Sequence, residues 1–176
     1  ALDEADVADK PAFVRAMPRF SAEDTSRLDE TYRQRVRSLQ AVDETVEALV
    51  DLLRSTGRLD DTYLVFASDN GWLNGQHRIR HGKGLPYEEV IRMPLYVRGP
   101  GVRAGSVLDH LVGNVDLAPT FADWAGVAPP ADCDGRSLAP LLGPGAPGPD
   151  AWRQAYPLRF DASSDIEGES WPDWRG

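Results

Sequence analysis

The sequence predicts an α/β layer architecture, in which helices cover a sheet. Three features lead there: one long amphipathic helical pattern, followed by two short apolar runs of strand length. Residues 27–56 carry the helical pattern. Leu28, Tyr32, Val36, Leu39, Val42, Val46, Leu49 and Leu53 recur every three or four residues, while Arg33, Arg37, Glu44 and Glu47 lie on the other face. Residues 62–68 read as a nearly continuous apolar strand, of the kind buried on both faces of a sheet. Residues 93–97 form the second apolar run, ended by Arg98-Gly99-Pro100-Gly101.

The remaining elements follow in order. Residues 1–26 are charged and broken by Pro11 and Pro18, yet Phe13-Val14 is apolar enough to lie against a surface. Gly57 is a natural residue to end the long helix, because glycine adopts the left-handed conformation without steric cost. Residues 71–86 contain Gly71, Gly75, Gly82, Gly84 and Pro86 and are expected to form a loop. A helical turn is expected over 87–92 and a third strand over 107–112. A helix is expected from Asn114, capped by Asn114 or Asp116, with Leu117, Phe121 and Trp124 on one face. A last short helix is expected over 136–142. Residues 143–176 then turn to Pro, Gly, Ala and scattered Trp, and read as an irregular tail or the start of a further subdomain.

Composition narrows the function. A formal net charge of -9 argues against a nucleic-acid partner or an anionic membrane surface, both of which favour basic proteins. No apolar run is long enough to form a membrane span. Cys133 is the single cysteine, so an internal disulfide is excluded and the compartment stays open. The chain starts without a methionine or a leader-like segment and reads as a cut or processed product.

Two stretches can carry chemistry. In Ser68-Asp69-Asn70-Gly71, at the end of the first strand, Asp and Asn supply hard oxygens suited to calcium or magnesium. The same tetrapeptide also reads as an ordinary strand-end turn. Residues 75–84 then gather His77, Arg78, Arg80, His81 and Lys83, donors suited to sulfate or phosphate oxygens, or simply a solvated basic loop. In an α/β sheet, ligands collect at the C-terminal strand ends, where Asp69 and Asn70 lie.

Taken in order, these motifs resemble the C-terminal series of the sulfatase family. The match runs through Ser68-Asp69-Asn70-Gly71, then Gly82-Lys83-Gly84-Leu85-Pro86-Tyr87-Glu88-Glu89, then Arg92-Met93-Pro94-Leu95-Tyr96-Val97-Arg98-Gly99-Pro100-Gly101. Asn114-Val115-Asp116-Leu117-Ala118-Pro119-Thr120 and Asp134-Gly135-Arg136-Ser137-Leu138 continue it, and the start, Asp3 to Pro11, resembles bacterial members of the N-acetylglucosamine-6-sulfatase branch. An ordered series of this kind is far more specific than any one short motif.

The resemblance implies an alkaline-phosphatase-like sandwich, present here in part: a mixed, mostly parallel sheet with helices on both faces. Residues 1–142 would be the C-terminal portion of the catalytic domain. Asp69 and Asn70 would be oxygen ligands of a calcium ion, Lys83 would contact the sulfate, and His77 would be a polar catalytic residue near the substrate. Glu88 and Arg92 would form a paired charge anchoring the loop. The family's nucleophile, a formylglycine made from a Cys/Ser-X-Pro-X-Arg motif, has no counterpart in these 176 residues. The implied partners are a sulfated small molecule or carbohydrate and an N-terminal part of the same enzyme, in a secreted or periplasmic setting. The chain alone is expected to be inactive. Two other readings stand beside this one: a phosphodiesterase or phosphonate hydrolase of the same superfamily, and a non-catalytic binding fragment.

Overall fold

The computed structural model describes residues 2–158. In chain order its elements are α1 (Ala12–Arg15), α2 (Ala22–Ser55), β1 (Leu64–Ala67), α3 (Glu88–Ile91), β2 (Leu95–Arg98), α4 (Leu117–Trp124) and α5 (Ala139–Leu142), with three single 3₁₀ turns. The described chain divides into two compact units, residues 2–56 with 70–94, and residues 57–69 with 95–158.

The first unit is dominated by α2, which begins five residues before the apolar periodicity does. The reason is a capping box: Ser21 Oγ accepts from the Asp24 N–H at 3.1 Å, and the Asp24 carboxylate accepts from the Ser21 N–H at 3.0 Å. Glu23 and Asp24 in the first turn and Arg54 in the last suit the helix dipole. Gly57 takes φ +67° just beyond the helix, as expected of a C-terminal glycine.

The core of this unit lies outside α2. Val7, Val14, Leu73, Ile79, Leu85 and Val90 form it, with Phe13, Met17 and Tyr87 packed against them. Val14 is fully buried, so the N-terminal segment does lie against a surface. Each such aliphatic side chain contributes roughly 1.5–3 kcal/mol through burial. Loop 71–86 supplies three members of this core and so is held from within.

In the second unit β1 and β2 pair antiparallel, with Leu64 opposite Arg98 and Ala67 opposite Leu95. They form a two-stranded sheet among the described residues, and its ladder is antiparallel rather than parallel. Phe66 and Ala67 are exposed, so β1 is not covered on both faces as its apolar run suggested. Residues 107–112 form no strand. They have no partner ladder, Val107 is exposed, and His110 Nε2 instead donates to the Pro147 carbonyl at 2.9 Å. The expected helix over 136–142 shortens to α5.

Asp116 is the knot of the second unit. Its carboxylate is fully buried and accepts from the N–H groups of Gly113 (2.9 Å) and Arg136 (2.8 Å). It also takes two bonds from the Arg153 guanidinium, at 2.7 and 2.8 Å. Thr120 Oγ1 donates to the Asp116 carbonyl and accepts from the Leu138 N–H. Trp152, also buried, donates from its indole to the Leu111 carbonyl. Residues 149–153 are therefore packed into this unit. Trp171 and Trp174 lie outside the described residues.

Burial pushes the Asp116 carboxyl up, but Arg153 and the two backbone N–H groups outweigh it and leave it below the usual value. A lowered folded value means that the stabilisation is complete above the unfolded carboxylate range and fades as pH falls through the folded value. Arg153→Ala leaves this carboxylate buried without its counter-ion and is expected to cost about 3–5 kcal/mol near neutral pH. Urea denaturation followed by circular dichroism measures it. A cost below about 1 kcal/mol would place the pair with ordinary surface ion pairs.

Candidate functional site

The chain passes from the second unit to the first between Asp69 and Asn70. Ser68 and Asp69 follow β1, and their carbonyls accept from Asn114 Nδ2 at 3.3 and 3.0 Å. Asn114, expected as a possible helix cap, thus ties the end of β1 to the 3₁₀ turn Asn114–Asp116 that leads into α4.

Gly71 opens the loop of the first unit. Its N–H donates to the Val90 carbonyl at 2.7 Å, and the Trp72 N–H donates to the Glu89 carbonyl at 2.9 Å. A Cβ on Gly71 would sit 2.0 Å from the Glu89 oxygen, so only glycine allows this approach. Two residues on, the Leu73 N–H donates to the Gly82 carbonyl at 2.8 Å. Strand-like contacts on both sides thus hold residues 70–73 between residues 82–83 and 89–90.

Asn70 and Lys83 meet as a result. Lys83 Nζ donates to Asn70 Oδ1 at 3.0 Å, and Asn70 Nδ2 donates to the Gly71 carbonyl at 2.9 Å. Lys83 is exposed between buried Gly82 and Gly84, with buried Leu85 next. Its backbone is therefore anchored while its ammonium faces outward.

His77 is placed differently. Its Nδ1 lies 2.9 Å from Glu4 Oε2 and its Nε2 lies 3.2 Å from Glu89 Oε2. The imidazole stacks on Tyr87 with ring centres 4.0 Å apart. Both carboxyls are held below their usual value: at Glu4 by the His77 hydrogen bond, and at Glu89 against burial by backbone and His77 bonds.

Arg78 extends the same tie. Its guanidinium donates to the carbonyls of Glu4, Ala5 and Met17. His81 is exposed and Arg80 pairs with Asp24 at 3.1 Å. A cavity of about 220 Å³ lined by Phe13, Met17, Arg78 and His81, among others, includes neither Asn70 nor Lys83.

Glu4 and Glu89 are contributors that sequence reasoning missed. It had singled out the neighbouring Glu88 with Arg92. Those two are joined only by the helical bond from the Arg92 N–H to the Glu88 carbonyl. α3 ends there and Arg92 is extended (φ -90°, ψ 102°), so the two side chains do not share a helix face.

For a metal, the described residues offer no group of three His, Cys, Asp or Glu side chains that could hold one. Asp69 and Asn70 fit a hard cation in kind, since both offer oxygen, and Asn70 Oδ1 already receives a cationic ammonium. They do not complete a coordination shell by themselves.

Gly71→Ala must force Glu89 and residue 71 apart, because the contact is with backbone. We expect it to cost about 1–3 kcal/mol and to speed amide exchange at Trp72 and Leu73. Hydrogen exchange read by mass spectrometry or NMR tests this. Unchanged protection at both amides would show that the close approach is not what holds the loop.

The family model described as Sulfatase matches residues 7–127. The chain is 38% identical to an arylsulfatase of Volvox carteri over 98% of its length and 27% of that protein. It is 42% identical to an N-acetylglucosamine-6-O-sulfatase of Bacteroides thetaiotaomicron over 70% of the chain and 22% of that protein. Among solved structures it resembles BT4656 in complex with its substrate D-glucosamine-2-N,6-O-disulfate, with a TM-score of 0.60, 32% identity, and 82% and 35% of the two chains covered. It also resembles the phosphonate monoester hydrolase SpPMH from Silicibacter pomeroyi, with a TM-score of 0.58, 38% identity, and 64% and 22% covered. The chain thus spans about a quarter of the length of the arylsulfatase it matches almost end to end. With a family match over most of its length, the chain belongs to the sulfatase family.

Proposed function

We propose that this chain is the C-terminal part of a sulfatase that hydrolyses sulfate esters, and that Asn70 and Lys83 mark its share of the active site. The observation that carries the reading is the hydrogen bond from Lys83 Nζ to Asn70 Oδ1, which joins the two halves of the family motif in space. An amide oxygen beside an outward-facing ammonium suits a site that takes a cation on one side and an anion on the other.

In this reading Asp69 and Asn70 are two oxygen ligands of a calcium ion, which would supply Lewis acidity toward the sulfate group when bound. Further ligands and the formylglycine nucleophile would come from sequence outside these 176 residues. Lys83 binds a sulfate oxygen. Its ammonium offsets negative charge on the sulfate group while the ester bond breaks and its electron pair leaves with the bridging oxygen, and such preorganised charge is a common source of large electrostatic rate effects. Its backbone is set between buried neighbours, so little reorganisation is needed at that moment. The relatives that act on sulfated glucosamine favour a sulfated carbohydrate substrate over other sulfate esters. The likeness to a phosphonate monoester hydrolase favours a second reading, in which the same groups hold a phosphonate or phosphate ester.

Reading the coding frame upstream of Ala1 is the first test. A Cys/Ser-X-Pro-X-Arg motif after a strand bearing paired aspartates is the expected result, and a frame lacking it would withdraw the sulfatase mechanism. In the enzyme that contains this chain, Lys83→Ala is expected to lower kcat/KM for an aryl or glucosamine sulfate by about 10²–10³-fold. The 176-residue chain assayed alone should show no turnover. Preference for a phosphonate monoester over both sulfates would select the second reading.

Two ligands should hold calcium poorly. Calorimetric titration of the 176-residue chain is expected to give a Kd on the order of 10⁻³ M or weaker. Binding tighter than about 10⁻⁵ M would mean that the chain carries a complete site of its own.

A further inference from the structure

The turn at the tip of loop 71–86 is built against local preference. His77 and Arg78 take φ +56° and +60°, and the Ile79 N–H donates to the Gln76 carbonyl at 2.9 Å across them. Turns with two positive φ values favour Asn and Gly, because a larger L-residue clashes with its own backbone there. Neither residue here is of that kind. Such conformations persist where surrounding contacts over-determine them.

Those contacts are present, and they come mainly from the N-terminal segment. Glu4 meets His77 Nδ1, the carbonyls of Glu4, Ala5 and Met17 hold Arg78, and the Asp3 N–H donates to the Gly75 carbonyl at 2.9 Å. Glu89 meets the other ring nitrogen of His77. Glu89 is also the residue whose carbonyl receives the Trp72 N–H and abuts Gly71. One imidazole therefore links the N-terminal segment to the backbone that seats Asn70. Its side chain is only 15% exposed, and Tyr87 covers one face of the ring. With a carboxylate facing each of them, neither ring nitrogen is left to hydrogen-bond a substrate.

We propose that His77 is a positioning residue of the sulfatase site: clamped between Glu4 and Glu89, it holds loop 71–86 so that Lys83 stays at Asn70, and it does not itself touch the sulfate ester. This rests on the sulfatase reading for its functional half. Its structural half, that the Glu4–His77–Glu89 bridge sets the loop, stands without it.

His77→Asn tests the proposal well, because Asn tolerates the left-handed backbone but cannot span both carboxylates. In the 176-residue chain, amide exchange at Leu73 and Gly75 should quicken by about ten-fold or more, while the α4 amides of the other unit keep their rates. His77→Phe, which keeps the stack on Tyr87 and loses both polar contacts, should do the same. Unchanged exchange at Leu73 and Gly75 in both variants overturns the structural half.

The functional half is read in the enzyme containing the chain, with a sulfate ester as substrate. His77→Asn should lower kcat several-fold and leave KM nearly unchanged. Added to Lys83→Ala, it should cause little further loss, since its effect passes through Lys83. If the two losses multiply instead, His77 acts on the ester directly and the proposal fails. A parent enzyme that turns over no sulfate ester refutes the sulfatase reading alone, because the exchange measurements still decide whether the bridge sets the loop.

Discussion

The close approach of Gly71 to the Glu89 carbonyl governs how Asn70 and Lys83 are placed. Without a side chain at 71, residues 70–73 slide between two neighbouring stretches and bond to both, through Val90 and Glu89 on one side and Gly82 on the other. Asn70 precedes this narrow passage and Lys83 follows Gly82, so their hydrogen bond follows from the backbone pairing. Such pairings are cheap to make once the loop is anchored and costly to leave open, because each buried N–H or C=O needs a partner. Leu73, Ile79 and Leu85 provide the anchor by joining the core of the first unit.

Charge is handled by the same logic in both units. Asp116 is buried with four donors on its carboxylate, and the arrangement joins the start of α4, the segment before α5 and Arg153 into one network. His77 is a smaller version: one ring, two carboxylates, three segments of chain. In both places a polar network specifies geometry where apolar packing alone would leave several arrangements of similar energy. Lys83 contrasts with them. It has an amide rather than a carboxylate beside its ammonium, and an exposed position, so its charge is less fully neutralised than that of Arg153.

What could be read from the sequence depended on scale. Asp69, Asn70 and Lys83 could be singled out by the types and order of the residues around them, and the structure brings Asn70 and Lys83 within hydrogen-bond distance. The long helix was legible from its period, and its end from Gly57. Its first turn was not, because Ser21, Glu23 and Asp24 stabilise it through caps and charge rather than through apolar spacing. The contacts of His77 could not be read either. They depend on Glu4, which lies 73 residues away, and on Glu89, which periodicity does not distinguish from Glu88. The strand expected at 107–112 shows the converse. Local apolar content indicated a strand, but a strand exists only with a neighbour to pair with, and the described residues provide none there.

The face of α2 raises the same issue on a larger scale. The helix runs for 34 residues, roughly 51 Å, yet Leu28 is its one buried residue. Tyr32, Val36, Leu39, Val42, Val46 and Leu49 remain between 40% and 58% exposed on one stripe. Burying what is still exposed is worth roughly 1 kcal/mol for each, a total comparable with the whole stability of an ordinary domain. A stripe this regular is uncommon on a free surface and is the usual mark of a face that packs against something. The matched relatives are several times longer than this chain, and an α/β layer architecture needs a sheet beneath its helices. The exposed stripe on α2 is of the kind that an α/β layer architecture packs against a sheet. The periodicity that identified α2 in the sequence then describes a face that the described residues leave largely uncovered.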